Sequence, residues 1–155
     1  MKDLKDMVVG ICNDHAGVEV KNYIIEQLGD QVQAFMNFGT NTTDSCDYPD
    51  YAHPMAEAIE NGQCDMGIAI CGTGIGISLV CNKYKDLRCA LCTNEFMAKM
   101  SRQHNDAQIL AFGERVVGLG VALGMVDAFF EEEFAGGRHA DRVNGIREVE
   151  NRNFK

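Results

Sequence analysis

Five short β-prone runs, each followed by a stretch with helical periodicity, constrain this chain more than any other feature. The runs are MVVGIC (7–12), QVQAF (31–35), MGIAI (66–70), RCALC (88–92) and AQILAF (107–112). Residues 17–28, 52–61, 75–84, 94–103 and 116–130 carry apolar side chains at helical spacing. Alternation of this kind implies parallel strands, because parallel neighbours need a long crossover that a helix supplies. Near-continuous apolar runs such as GIAIC suit strands covered on both faces. The expected fold is therefore α/β, with a five-stranded parallel sheet between two helical layers. The polar C-terminal stretch RHADRVNGIREVENRNFK spaces Val143, Ile146 and Val149 as one narrow stripe. It predicts a final helix, packed on its own domain or on a partner subunit.

Size and charge narrow the function. With 155 residues, 46% of them apolar and only two prolines, the chain fits one domain spanning residues 1–155. A net charge of -9 and the lack of a basic block argue against an electrostatically driven nucleic-acid binder. A few local arginines still suffice for a small anion. The opening MKDLKDMVVGIC has no apolar core of a secretory signal, and no later run is long enough to cross a bilayer. A cytoplasmic location is expected, with no membrane partner.

Seven cysteines, at 12, 46, 64, 71, 81, 89 and 92, show no secreted disulfide framework and read mostly as small reduced side chains. Cys89 and Cys92 have CxxC spacing, but a strand points residues i and i+3 to opposite faces. No second ligand pair appears at metal-site spacing, so no metal is expected.

In open parallel sheets the ligand sits beyond the carboxyl ends of the strands. The polar groups there are Asn13-Asp14-His15, Cys71-Gly72-Thr73-Gly74, Thr93-Asn94-Glu95 and Gly113-Glu114-Arg115. In CGTGIGIS, Gly72, Gly74 and Gly76 allow a tight turn whose N–H groups approach an anion, with the next helix adding its positive end. The spacing is not the dinucleotide fingerprint GxGxxG, so a nicotinamide cofactor rests only on Glu95 after the next strand. Cys71 at the head of this loop would have its thiolate stabilised and serve as base or nucleophile. The alternative is a packed, inert thiol. His15, His104 and His139 lie in the polar clusters NDHAG, RQHND and GGRHADR, whereas His53 in YAHPM has no such setting. Arg138 and Arg142, four apart, share a helix face and can grip a phosphate, or form a solvated face offset by Asp141.

Taken in order, NDHAG (13–17), DYPDYA (47–52), CGTGIGIS (71–78), NK (82–83), SRQHND (101–106), FGERVVG (112–118) and GGRHADRV (136–143) resemble the ribose-5-phosphate isomerase B family. That family also includes allose-6-phosphate and galactose-6-phosphate isomerases. The resemblance implies a Rossmann-like fold forming a homodimer or homotetramer. It implies an aldose–ketose isomerase acting on a sugar phosphate without metal or organic cofactor, with a site assembled across the dimer interface. Carried over, Cys71 moves a proton between C1 and C2, and the amides of the Gly72–Gly76 loop stabilise the enediolate. Asp14 and Tyr48 contact the sugar, His104 with Thr73 assists ring opening, and Asn105 holds the open chain. Arg138, Arg142, His15 and Arg115 surround the phosphate, with His139 beside them. Where one branch of the family has a glutamate late in the loop, this chain has Ile77, leaving no carboxylate substitute for Cys71. Asn13 departs from the serine or cysteine common before the Asp-His pair and bears on sugar preference. A six-carbon sugar-phosphate isomerase is the rival enzyme. A non-catalytic binding module would need the loop and arginines but neither Cys71 nor His104.

Overall fold

A computed structural model describes residues 2–154; Met1 and Lys155, the ends of the sequence read above, lie outside them. The elements run β1 (Val8–Asn13), α1 (Val18–Leu28), β2 (Ala34–Asn37), α2 (Pro49–Glu60), β3 (Met66–Cys71), α3 (Ile75–Cys81), β4 (Cys89–Leu91), α4 (Glu95–Asn105), β5 (Ile109–Gly113), α5 (Leu119–Glu131) and α6 (Arg138–Asn153). All five strands are parallel, in the order β2-β1-β3-β5-β4. The fold is the expected α/β sheet with helices on both faces.

The two faces are built from residues of different size. Val9, Ile11, Met66, Ile68, Ile70, Leu110 and Phe112 pack against α1, α4 and α5. The other face presents Cys12, Ala69, Cys71 and Ala111, with Ile109, to α2 and α3. Small side chains there let α2 approach closely. A Cβ on Gly67 would stand 2.7 Å from Ile59 Cδ1, and one on Gly10 would stand 2.9 Å from Met55 Cγ. Five of the seven cysteines belong to this face, and all seven are free thiols. Cys89 and Cys92 do lie on opposite faces.

Some boundaries differ from the periodicity, each for a local reason. The chain leaves α1 through a 3-10 turn, Gly29–Gln31, so β2 begins at Ala34 rather than 31. Pro49 opens α2 three residues early, where its missing N–H costs nothing. After β5, Val116 and Val117 both donate to the Gly113 carbonyl, and α5 therefore starts at Leu119 rather than 116. The final helix is present. Of its apolar stripe Val143 is buried, whereas Ile146 and Val149 are exposed.

The chain reverses direction across the sheet between β1 and β3, since β2 lies outside β1 and β5 beyond β3. At such a switch point the connections depart to opposite sides and leave a crevice at the carboxyl ends. Asp14 follows β1 and Cys71 ends β3, so both border it.

Candidate active site

Cys71 is the last residue of β3, beside Gly113 of β5. The glycine loop folds back over it, and the Gly74 amide donates to Cys71 Sγ at 3.1 Å. That donor fixes the direction of the sulfur. Gly74 is left-handed, with φ +81°, and a Cβ would stand 2.6 Å from Leu91 Cδ1 and 2.7 Å from the Phe112 carbonyl carbon. Only glycine fits there. Gly76 is required by a different neighbour, because the Tyr48 ring occupies the space a Cβ would take.

The resulting cleft, about 470 Å³, is lined by Asp14, Tyr48, Cys71, Gly72, Thr73 and Gly76, with Arg115 and the exposed Ile75 and Leu79 at its edge. Arg115 lies against the loop, where a Cβ on Gly72 would meet its Nη1 at 3.2 Å. Asp14 is oriented by accepting from the Ala16 amide at 2.9 Å, which starts a 3-10 turn at His15. A larger hollow of about 590 Å³, lined by residues including Glu60, Asp65, Lys85 and Asp86, has no glycine loop in its wall.

Three of the expected residues stand outside the cleft lining. Gly74 does not line the cleft, since its amide is spent on the sulfur and its Cα on packing. His15 borders the cleft without lining it, and its Nδ1 accepts from the Cys46 amide at 3.3 Å. Asn13 is wholly buried rather than facing the sugar end; its Nδ2 donates to the carbonyls of Asp14 and Thr40 at 2.9 and 3.1 Å. The Thr93-Asn94-Glu95 cluster is also structural, with Asn94 capping α4 through the Met97 amide. Glu95 lies against Gly124 of α5, which removes the support for a nicotinamide site.

The largest difference concerns His104 and Asn105. A crossover helix runs against its strands, so the C-terminal end of α4 lies at the amino end of the sheet. The Asn105 carbonyl accepts from Arg88 Nε at 2.8 Å, just before β4, while Cys71 stands level with Gly113 at the far end of β5. Five strand residues separate those levels, roughly 16 Å. One chain does not bring His104 and Cys71 together. Arg138, His139 and Arg142 are on α6 beside His104, whose ring stacks on His139 with centroids 4.1 Å apart and planes 9° off parallel. Desolvation, then His104 and the two arginines, pushes His139 below its ordinary pKa.

Two features escaped the sequence reading, one beside this second group and one near the cleft. In SRQHND, Arg102 and Asp106 are structural: buried Arg102 donates Nη1 to Asp106 Oδ1 at 3.1 Å and to the Ala107 carbonyl at 2.7 Å. Arg88 joins from the other side through the Asp106 carbonyl at 3.0 Å. The turn after His104 is thus fixed by two arginines, and Asp106 takes φ +47°. In FGERVVG, Glu114 Oε1 accepts from the Val20 amide at 2.7 Å, tying the start of α1 to the end of β5. Its burial pushes the carboxyl pKa up, and the Val20 amide opposes that rise.

A sequence profile described as Ribose/Galactose Isomerase matches residues 9–146. The chain belongs to the Ribose/Galactose Isomerase family. It is 45% identical to a putative sugar phosphate isomerase, YwlF, of Bacillus subtilis, over 96% of this chain and all of that one. It is 43% identical to ribose-5-phosphate isomerase B of Escherichia coli, over 90% of this chain and 93% of that one. Among solved structures, ribose-5-phosphate isomerase B of Clostridium thermocellum superposes with a TM-score of 0.91 at 51% identity, covering 94% of this chain and 99% of that one. Membership of the Ribose/Galactose Isomerase family accounts for the ordered motifs that suggested it.

Proposed function

We propose that this isomerase interconverts ribose 5-phosphate and ribulose 5-phosphate through an enediolate, with Cys71 as the base. The single observation that carries the reading is the glycine loop closed over Cys71, which puts an amide on its sulfur and opens the cleft beside it. Isomerisation needs a base at carbon next to a carbonyl and donors where the oxyanion forms. Cys71 supplies the first, and amides of the Gly72–Gly76 loop supply the second. Asp14 and Tyr48, which both line the cleft, contact the sugar hydroxyls. Arg115 and His15 take part of the phosphate. The E. coli and C. thermocellum relatives support the five-carbon substrate by the activity in their names.

The remaining roles belong to a second copy of the chain. His104 with Thr73 opens the sugar ring, Asn105 holds the open chain, and Arg138 and Arg142 complete the phosphate grip. Because these α4 and α6 groups lie a sheet length from Cys71 in one chain, a homodimer, alone or paired into a tetramer, would present them to the partner's cleft. Exposed Ile75, Leu79, Phe96 and Met97 on α3 and α4 give such a dimer an apolar face to bury. Its seven free thiols suit a reducing cytoplasm. Among the described residues no helix is long and apolar enough to cross a membrane.

The test is conversion of ribose 5-phosphate, followed as ribulose 5-phosphate. Cys71→Ala should lose on the order of 10² to 10⁴ in turnover while still binding substrate. Mixing inactive Cys71→Ala with inactive His104→Ala should restore about a quarter of wild-type rate, since half the dimers are mixed and each carries one intact site. Near-normal turnover by Cys71→Ala rules out the base; no restoration on mixing rules out the shared site.

A further inference from the structure

Lys21 is the one buried lysine of the described residues that no part of the proposed chemistry uses. It points inward from α1 with no exposed surface. Its ammonium donates to the Thr40 carbonyl and, at 2.7 Å, to Asn41 Oδ1. Both acceptors are neutral. Burying a cation against neutral acceptors costs more than filling the same space with methionine, so helix packing alone gives no reason for a lysine here.

What the ammonium holds is the loop that carries Tyr48 to the cleft. Residues 38–48 contain no strand or helix; apart from the Cys46 amide on His15 Nδ1, their attachments to β1 and α1 cluster at residues 38–41. The Phe38 and Thr40 amides donate to the Ile11 and Asn13 carbonyls at 2.8 and 3.2 Å. Asn13 Nδ2 returns a bond to the same Thr40 carbonyl that Lys21 takes. Asn37 Nδ2 donates to Asn41 Oδ1 at 2.9 Å, so that amide is held from two sides. The fit leaves no slack. Asn13 Oδ1 is buried without a hydrogen-bond partner, and a Cβ on Gly39 would fall on it.

We infer that Lys21, with Asn13, is a buried clamp that sets the height of the 39–48 loop over β1 and so the span between Tyr48 and Asp14 in the cleft. Lys21 is a positioning residue. It touches no cleft wall, yet it grips the Thr40 carbonyl, which also accepts from Asn13 Nδ2, the same group that donates to the Asp14 carbonyl. The consequence for sugar length rests on the isomerase reading above. A fixed loop holds a five-carbon phosphate between Cys71 and the arginines, and a slack loop admits a longer one.

Lys21→Met keeps the length of the side chain and removes every donor. Hydrogen–deuterium exchange of residues 38–47 should rise about 10-fold while β1 and β3 stay protected. KM for ribose 5-phosphate should rise by about 10-fold with kcat within about 3-fold, and relative kcat/KM should move toward allose 6-phosphate. If Lys21→Met does not fold, Asn41→Ala, at an exposed site, removes one acceptor and should move the same readouts by about 3-fold. Unchanged exchange overturns the clamp, and raised exchange with unchanged KM and sugar ratio overturns its role at the cleft. Should the wild-type protein fail to isomerise ribose 5-phosphate, the functional reading falls, while the exchange measurement still decides the clamp.

Discussion

At the carboxyl end of the sheet, Cys71 is held by main chain: the Gly74 amide on its sulfur, Gly74 in a left-handed conformation, and Gly113 alongside in the ladder. At the amino end, His104 stands on a turn held by side chains, with Arg88 and Arg102 converging on Asp106 and the Ala107 carbonyl. Main chain sets the first geometry, through a backbone donor and a conformation that favours glycine. Charged side chains set the second, and they carry a desolvation cost that makes each partner depend on the other. The difference teaches where damage should appear. Changes at the glycine loop strike the fold and Cys71 together; changes at the arginines loosen one turn and leave the cleft intact.

Gly74→Ala is the strongest way to break this comparison. The substitution combines a left-handed backbone with contacts under 3 Å to Leu91 and the Phe112 main chain, and should cost about 4 kcal/mol in denaturant unfolding. Gly120→Ala, inside α5 with nothing within 4 Å, is the control and should stabilise by about 0.5 to 1 kcal/mol. A Gly74→Ala loss below about 1 kcal/mol would show that the loop can move without harm.

Arg102→Met should come next. Its guanidinium is buried, but Asp106 keeps roughly a third of its side chain exposed, so the loss should be about 2 kcal/mol rather than the full value for a buried pair. Alkylation of Cys71 by iodoacetamide should proceed at the wild-type rate. An altered Cys71 rate would mean that the two ends are coupled through β5.

A smaller effect sharpens the comparison by ignoring it. Burial pushes the pKa of Cys64, near the amino end, and of Cys92, beyond the carboxyl end of β4, from 9.0 up to about 11. Above pH 9 the unfolded chain releases these protons while the folded chain keeps them, so stability is lost as pH rises from 9 to 11. Each thiol should account for a loss on the order of 2 kcal/mol over that window. Wild-type stability should therefore fall more steeply than that of Cys64→Ala or Cys92→Ala. Parallel curves for all three proteins would remove burial as the common cause.

Much of the cleft was legible in the sequence because its parts are contiguous. CGTGIGIS holds Cys71 and its loop within eight residues, and Asp14 and Arg115 follow strands whose carboxyl ends must lie together in any parallel sheet. Asn13 was misread for the same reason that Asp14 was read well. Successive residues leaving a strand point to opposite sides, and periodicity alone does not say which side is the cleft. Glu114, Arg102 and Asp106 sat inside recognised motifs, yet their partners, Val20, Ala107 and Arg88, belong to other elements, and periodicity does not say which groups of different elements meet.

The sequence by itself determined the parallel α/β class, the five strands, the glycine loop with Cys71 at its head, and the family. These follow from periodicity and from residues adjacent in the chain, which survive being read one position at a time. Only the tertiary structure decided that His104 lies a sheet length from Cys71, that Asn13 faces inward, and that Lys21 grips the loop carrying Tyr48. Each depends on the direction in which an element runs or the face a side chain takes once the sheet is packed. Interactions between distant residues fix those directions, and no local pattern encodes them.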